Sequence, residues 1–408
     1  MAVYFDAVGT IHPIKETEKF KAVECYKSAK GFIKKVVRFN FQTNTGSVVR
    51  MEMRTKKWYK VDEDGIPTDD NSIYFRKEAC NVKYKDKREY QGKGEFMTSF
   101  LDKSPYKVAN VLKAYDEGNL STYDADKYDI HSDEDYEELS KKYNTCVKRF
   151  LFDIDFINYF ERILANYDKF LKGRLMRVSG EWAFEYSAQK DAIYKKFVPN
   201  RIEYCHDEDP VQVISLKVPF IFKGKNPIAV GKGDKKVLKG YTNYYADEFK
   251  TEEFKGKYLA PIEIVIPENL EKSVSNRFET EDPTVTSDYK LWNLNCAYIN
   301  GAEKKDIEED DLSPDEKFDI ECGFRTLEEI RAEHAKADKG ADGKGKYDST
   351  KVYGDRITEI RLIKCGEKGN PENAEYDDRQ TESPSHDIPE EVKQAVGAAS
   401  DDDDIFEI

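Results

Sequence analysis

The chain has 408 residues, with 66 Lys plus Arg against 80 Asp plus Glu, a net charge of −14, and 39% hydrophobic residues. That length allows two domains, or one with large insertions. No apolar run of about 18 residues is present to span a bilayer, and the start Met1-Ala2-Val3-Tyr4-Phe5-Asp6 lacks a basic-then-apolar signal segment, so a cytoplasmic chain with no membrane partner is expected. The charge is graded: residues 1–113 hold 23 basic and 15 acidic side chains, whereas residues 266–408 hold 19 and 38. An acidic total therefore does not exclude a polyanionic partner. Seven cysteines, no two closer than 26 positions, read as reduced thiols.

Val3 to Ile14, or alternatively Phe20 to Tyr26, supplies a first strand. Phe32 to Gln42 and Ser47 to Thr55 then alternate with period two around the turn Thr43-Asn44-Thr45-Gly46, predicting a hairpin. Val37, Phe39, Phe41, Val49, Met51 and Met53 form its core face. The opposite face presents Arg38, Arg50 and Arg54, with Lys34, Lys56, Trp58 and Tyr59 near the ends, and is expected to be open to solvent. Lys60 to Thr145 reads as a large insertion, in which Asp116 to Glu138 is acidic and Tyr-rich and is expected to be a solvated loop or irregular subdomain.

Phe156, Tyr159, Phe160, Ile163, Leu164 and Tyr167 recur at three- and four-residue steps, predicting an amphipathic helix over Asp153 to Leu171. Asp153 and Asp155 open it. Negative charge at a helix start is favoured by the dipole; the competing reading is a divalent-metal site of a nuclease or primase. Leu175 to Tyr186 and Ile193 to Tyr204 follow as strands carrying Arg177, Trp182, Tyr194 and Lys196. Trp182 shares parity with Met176, Val178 and Phe184, which buries it unless a bulge at Gly180 turns it outward.

A second strand set comprises Val213 to Phe222, Lys236 to Tyr245, Tyr258 to Ile266, Leu291 to Ile299 and Arg356 to Ile363. The basic, Gly-containing stretch Lys223 to Lys239 reads as a phosphate-contacting loop or a solvated hairpin tip, and Lys235, Lys236, Lys239, Tyr241 and Tyr244 join the candidate nucleic-acid contacts. Gly224 to Gly233 lacks P-loop spacing and its Ser or Thr. The histidines and cysteines lack zinc-finger spacing, and no cofactor or metal is expected. Ser313-Pro314-Asp315-Glu316 is a capping box with Pro at the first helical position, opening a helical hairpin over residues 313–337. From Gly366 onward 14 acidic residues face three basic ones, predicting a disordered acidic tail.

Strands, a helix and two more strands is the order of an OB fold. The expected class is mainly β with α insertions: one or two OB-like five-stranded barrels, the first over residues 1–205, the second β-rich domain over 206–365, and the acidic tail over 366–408. The 26 Tyr, 23 Phe and 3 Trp are many for so hydrophilic a chain, and aromatics interleaved with Lys and Arg suit stacked bases and phosphates. The run Asp401-Asp402-Asp403-Asp404 followed by Ile405 and Phe406 resembles the tip of bacterial and phage single-stranded DNA-binding proteins, although the Pro that bacterial tips place between Ile and Phe is missing and Glu407-Ile408 follow. The resemblance implies a non-enzymatic single-stranded DNA-binding protein of replication, recombination or repair, in a bacterial host cytoplasm if phage-encoded. It also implies that Asp401 to Phe406 recruit replication partners such as a polymerase, helicase or primase. A virion or assembly scaffold built on β domains is the third class to be weighed.

Overall fold

The computed structural model describes residues 2–18, 20–44, 46–55, 57–68, 72–74, 81–187, 190–207, 210–245, 256–279, 285–306, 312–331, 351–365, 371–376 and 378–381. Lys56 and the acidic stretch that includes Asp401 to Phe406 lie outside them. Among the described residues sixteen strands join one mixed sheet, mainly antiparallel, and within it two sets of five close into rings.

The first ring uses β1 (Val3–His12), β2 (Phe32–Gln42), β3 (Val48–Arg54), β4 (Met176–Ser187) and β5 (Ala192–Tyr204). β2 and β3 form the expected hairpin, with Phe39 opposite Met51. Thr10 to His12 of β1 pair with Asn40 to Gln42 of β2, β1 pairs with β4, β4 with β5, and β5 meets β3 in parallel at Phe197 and Met51. Helix α1 (Asp153–Ala165) lies in the chain between β3 and β4 and packs across β2 and β3. Its buried face, Phe156, Ile157, Phe160 and Ile163, belongs to the same core as the ring, with the Phe160 and Phe39 rings 5.2 Å apart.

The second ring repeats the scheme with β6 (Ile214–Lys223), β7 (Lys236–Tyr245), β8 (Lys257–Val265), β9 (Tyr289–Asp306) and β10 (Lys351–Cys365). β6 pairs with β9 along its length and with β7 at Ile221 and Tyr241. β7 pairs with β8, β9 with β10, and β8 meets β10 in parallel at Val265 and Arg361. Helix α2 (Glu268–Glu279), which has few apolar positions and gave no sequence signal, stands between β8 and β9 as α1 does between β3 and β4. The rings are joined where Tyr4 to Ala7 of β1 run antiparallel to Ile214 to Lys217 of β6.

Four expectations are corrected. The acidic stretch is not a loop: helices Pro105–Asp116, Thr122–Tyr128 and Asp133–Cys146 form a small subdomain with its own core of Val108, Val111, Leu112, Tyr128 and Ile130. The Ser121 and Ser132 hydroxyls cap the last two by accepting from the N–H groups of Asp124 and Asp135. The long helix after Asp153 breaks at Asn166 and resumes as Tyr167–Phe170. Inside the basic stretch 223–239, Ile228–Val230 is a strand paired with β7. The stretch from Gly366 onward is not disordered throughout: Glu372–Ala374 is a strand paired with Tyr289 to Leu291 of β9. The capping box at Ser313 and Glu316 is present as read. Among the described residues, no helix is long and apolar enough to cross a membrane.

Closure of each ring depends on a glycine. A Cβ on Gly9 would collide with Gln42 O and the Phe41 ring, and one on Gly240 with Ile221 O and the Phe220 ring. In both cases a backbone oxygen stands in the way, so rotamer changes alone cannot relieve the clash. Gly9→Val and Gly240→Val are each expected to destabilise the chain by about 1–3 kcal/mol, read from the denaturant midpoint. The exposed Gly92→Ala, next to which a Cβ meets nothing and whose backbone is outside the positive-φ region, controls for composition.

Candidate nucleic-acid interface

The outer face of β2 and β3 is a network of charges and not an open patch. Cross-strand register sets Arg38 opposite Glu52, Val36 opposite Arg54 and Asn40 opposite Arg50. Arg38 donates to Glu52 at 2.9 Å and pairs with Glu24 at 2.7 Å. Lys196, from β5, reaches Glu52 at 3.3 Å and Glu185 at 3.1 Å, and Arg54 also pairs with Glu185. Burial alone would raise the Glu52 carboxyl, but Lys196, Arg38 and Arg54 more than reverse this and hold it below the usual glutamate range.

Arg38 is therefore not on a solvent face, as strand parity alone suggests: it is 2% exposed. The strand Val23–Lys27 pairs beside β2 and lays Glu24 over it. Arg54 is half-buried, while Arg50 at the far end of the hairpin is exposed, with the Phe20 ring 4.0 Å from its guanidinium carbon. Lys34 is half-buried with its ammonium 5.6 Å from the Trp58 ring, which is 43% exposed.

Three aromatic candidates belong to the core. The Tyr59 hydroxyl donates to Asp153, and burial followed by the Asp153 charge pushes that phenol up. Tyr244 stacks on Tyr258 at 5.8 Å. Trp182, 2% exposed, stacks on Phe197 at 5.8 Å and meets Tyr298 of β9 at 5.7 Å. The bulge near Gly180 exists, yet its extra residue lies on the partner strand: Ser179 faces Arg201 and Gly180 faces Pro199, leaving Asn200 unmatched. The parity of β4 thus runs unbroken and keeps Met176, Val178, Trp182 and Phe184 inside.

The remaining candidates lie at or near the surface. Arg177 pairs with Asp6 at 2.8 Å and with Asp207 at 3.5 Å. Tyr194 and Tyr241 are half-buried. Lys235, Lys236 and Lys239 are exposed, and each has a carboxylate: Glu359 at 3.0 Å, Glu271 at 2.5 Å and Glu263 at 3.9 Å. Two contributors escaped sequence reading. Phe20 and Glu24 lie in the stretch Phe20 to Tyr26, which reads as a possible strand but signals no contact residue. Lys195, between the candidates Tyr194 and Lys196, is 5.7 Å from both the Trp182 and Phe184 rings. Asp153 and Asp155 stand in the first turn of α1. Asp153 accepts from Tyr59 and from the Ile154 N–H at 2.8 Å, and Asp155 from the Tyr84 hydroxyl and Lys87, both at 2.8 Å. Asp153 Oδ1 and both oxygens of Asp155 are engaged by protein donors in the described structure.

No family model matches the chain, and no curated protein matches it. Among solved structures it is similar to a deletion mutant of the single-stranded DNA binding protein from Thermus aquaticus, at a TM-score of 0.26 and 7% identity over 74% of this chain and 87% of that one. A likeness of that size fixes neither fold nor function.

Because the Glu52 carboxyl is held below its unfolded value, its contribution to stability is present above the unfolded pKa of about 4.3 and is lost as pH falls through the lower folded value. Glu52→Gln is expected to cost about 3 kcal/mol at neutral pH, since it leaves Arg38 and Lys196 short of a buried counter-charge. The gap between the two proteins should narrow as the pH drops below that window. Denaturant titrations at a series of pH values test this, and a gap that widens in acid contradicts the assignment.

Proposed function

We propose that the chain is a non-enzymatic single-stranded DNA-binding protein built on two OB barrels, one within residues 1–205 and one within 206–365. The observation that supports this most is the pairing order. In each ring the first strand pairs with the second and fourth, the second with the third, and the fourth with the fifth, while the third meets the fifth in parallel. With a helix between the third and fourth strands, that is the connectivity of the five-stranded Greek-key barrel, which binds oligonucleotides over strands two and three and the adjoining loops.

On the first barrel this face offers Arg50, Lys34 and Trp58, flanked by Tyr194 and Lys196 of β5. On the second it offers Lys235, Lys236, Lys239 and Tyr241. Exposed or half-exposed cations follow phosphates, and Trp58 has ring area to give to a base. The engagement of Asp153 and Asp155 by Tyr59, Tyr84 and Lys87 speaks for a structural part and against a metal-dependent nuclease. The run Asp401 to Asp404 with Ile405 and Phe406 is proposed to compete for the cationic faces and to recruit replication proteins through its apolar pair.

Fluorescence anisotropy with oligothymidylate, duplex and RNA tests the proposal. Single strands should bind in the micromolar range or tighter, with affinity falling steeply as salt rises. Equal affinity for duplex, or none at low salt, would sink it. Trp58→Ala should cost about 1–3 kcal/mol of binding if the ring carries a base. Removal of Asp401 to Ile408 should raise DNA affinity, most at low salt where screening is weakest; unchanged affinity with all partners retained in a pull-down would reduce that segment to a solubiliser.

A further inference from the structure

The segment just before the Val23–Lys27 strand lies across the guanidinium groups of the first barrel. The Phe20 ring centroid is 4.0 Å from the guanidinium carbon of Arg50 and 5.1 Å from that of Arg38. Lys21 O accepts from Arg38 Nη1 at 3.3 Å, Ala22 O accepts from the Arg38 N–H at 2.8 Å, and Glu24 pairs with Arg38 at 2.7 Å. Glu16 fixes the segment by accepting from the Ala22 N–H at 2.8 Å. Arg50, exposed, has no carboxylate within ion-pair distance among the described residues; the Phe20 face lies directly on it, and Glu52 acts on its charge only from a greater distance.

A planar ring on a guanidinium and a carboxylate on its N–H donors are the two contacts that a nucleotide makes, through its base and its phosphate. On the single-strand reading proposed above, we infer that Phe20 and Glu24 occupy the place of one nucleotide on Arg50 and Arg38, and that a bound strand exchanges Phe20 for a base and shares Arg38 between Glu24 and a phosphate. The chain thereby carries a stand-in for its own ligand. The Phe20 ring offsets part of the repulsion that Arg50 feels from Arg38 when DNA is absent. Glu24 belongs to a strand paired with β2 and stays in place; Phe20 precedes that strand and is the part that moves.

The test compares the unmodified chain with Phe20→Ala and Glu24→Gln, binding oligothymidylate of roughly 30 nucleotides, long enough to cover the barrel faces, across a salt series. Phe20→Ala should bind about 3-fold tighter or more, because its ring no longer competes with a base. Glu24→Gln should steepen the slope of log affinity against log salt by about 1, since one further cation becomes available to a phosphate. Weaker or unchanged binding by a folded Phe20→Ala, or an unchanged slope in Glu24→Gln, overturns the inference, the first by making Phe20 part of the site or a plain cover. Should a variant fail to fold, amide exchange at Phe20 to Ala22 in the unmodified chain decides: faster exchange with DNA bound supports the exchange of occupants, and slower or unaltered exchange overturns it. No binding by the unmodified chain removes both this inference and the single-strand reading, whereas normal binding with an unresponsive segment removes this one alone.

Discussion

The antiparallel ladder between β1 and β6 is the constraint on which the remaining architecture depends. Each of these strands has two duties along its length. The N-terminal half, Tyr4 to Ala7 or Ile214 to Lys217, forms the shared ladder, and the C-terminal half closes its own ring against β2 or β7. An antiparallel pair has local two-fold symmetry, so two like rings hung from it meet reciprocally. Tyr186 and Asp191, near the turn between β4 and β5, lie close enough to Tyr244 at the end of β7 to act on its hydroxyl, behind burial and Tyr258 in pushing it up. On the other side, Asn300 of β9 donates to Val48 O at 2.7 Å and to Ser47 Oγ at 3.3 Å through its backbone N–H, beside the turn between β2 and β3. Gly301 lies so near Gly46 O that no Cβ would fit. The rings share one apolar core, in which Tyr298 of β9 meets Trp182 and Phe197.

Charge on the first ring is arranged by the same logic of close pairing. Arg38, Arg54 and Lys196 converge on one side of the hairpin, where mutual repulsion would be strong at low local dielectric. Glu24, Glu52 and Glu185 are interleaved among them, so the group is nearly neutral although dense in cations. Buried pairs of this kind add little net stability but are costly to break, which on the proposed single-strand reading leaves exchange to Arg50, Lys34 and the Trp58 ring at the periphery, and to Arg38 only once Phe20 has moved. A polyanion approaching the group of Arg38, Arg54 and Lys196 would meet cations that are already partnered, and would have to offer contacts at least as good as those of the carboxylates it displaces. An acidic chain and the proposed nucleic-acid face are compatible on these terms, because what matters is the local exchange and not the total charge.

Strand parity made much of the first ring readable. Val37, Phe39, Phe41, Val49, Met51 and Met53 alternate without a break and all are buried. Parity states which residues share a face, though not what else covers that face. Arg38 was misplaced for that reason, since the covering strand Val23–Lys27 is short and has no clear alternation. Trp182 shows the complementary limit: a bulge can be suspected from one strand, but whether it turns the side chains depends on which partner holds the extra residue, here Asn200. Of the helices between Pro105 and Cys146, the last two carry cap residues, Ser121 and Ser132, whose signal the acidic composition obscures. Helix α2 left no signal because Val274 is its one fully buried side chain among those described.

The doubling of the ring without any repeat in the sequence follows from what each joint requires. Where the first strand bends from one neighbour to the next, two backbones and an aromatic ring crowd a space too small for a Cβ. The first ring meets this with Gly9 on its first strand, against Phe41 of its second. The second ring meets it with Gly240 on its second strand, against Phe220 of its first. The small residue and the large one have changed sides, and the joint is the same. A comparison position by position finds nothing in common between Gly9 and Gly240, because the quantity preserved is the volume at the crossing and not the residue at either strand.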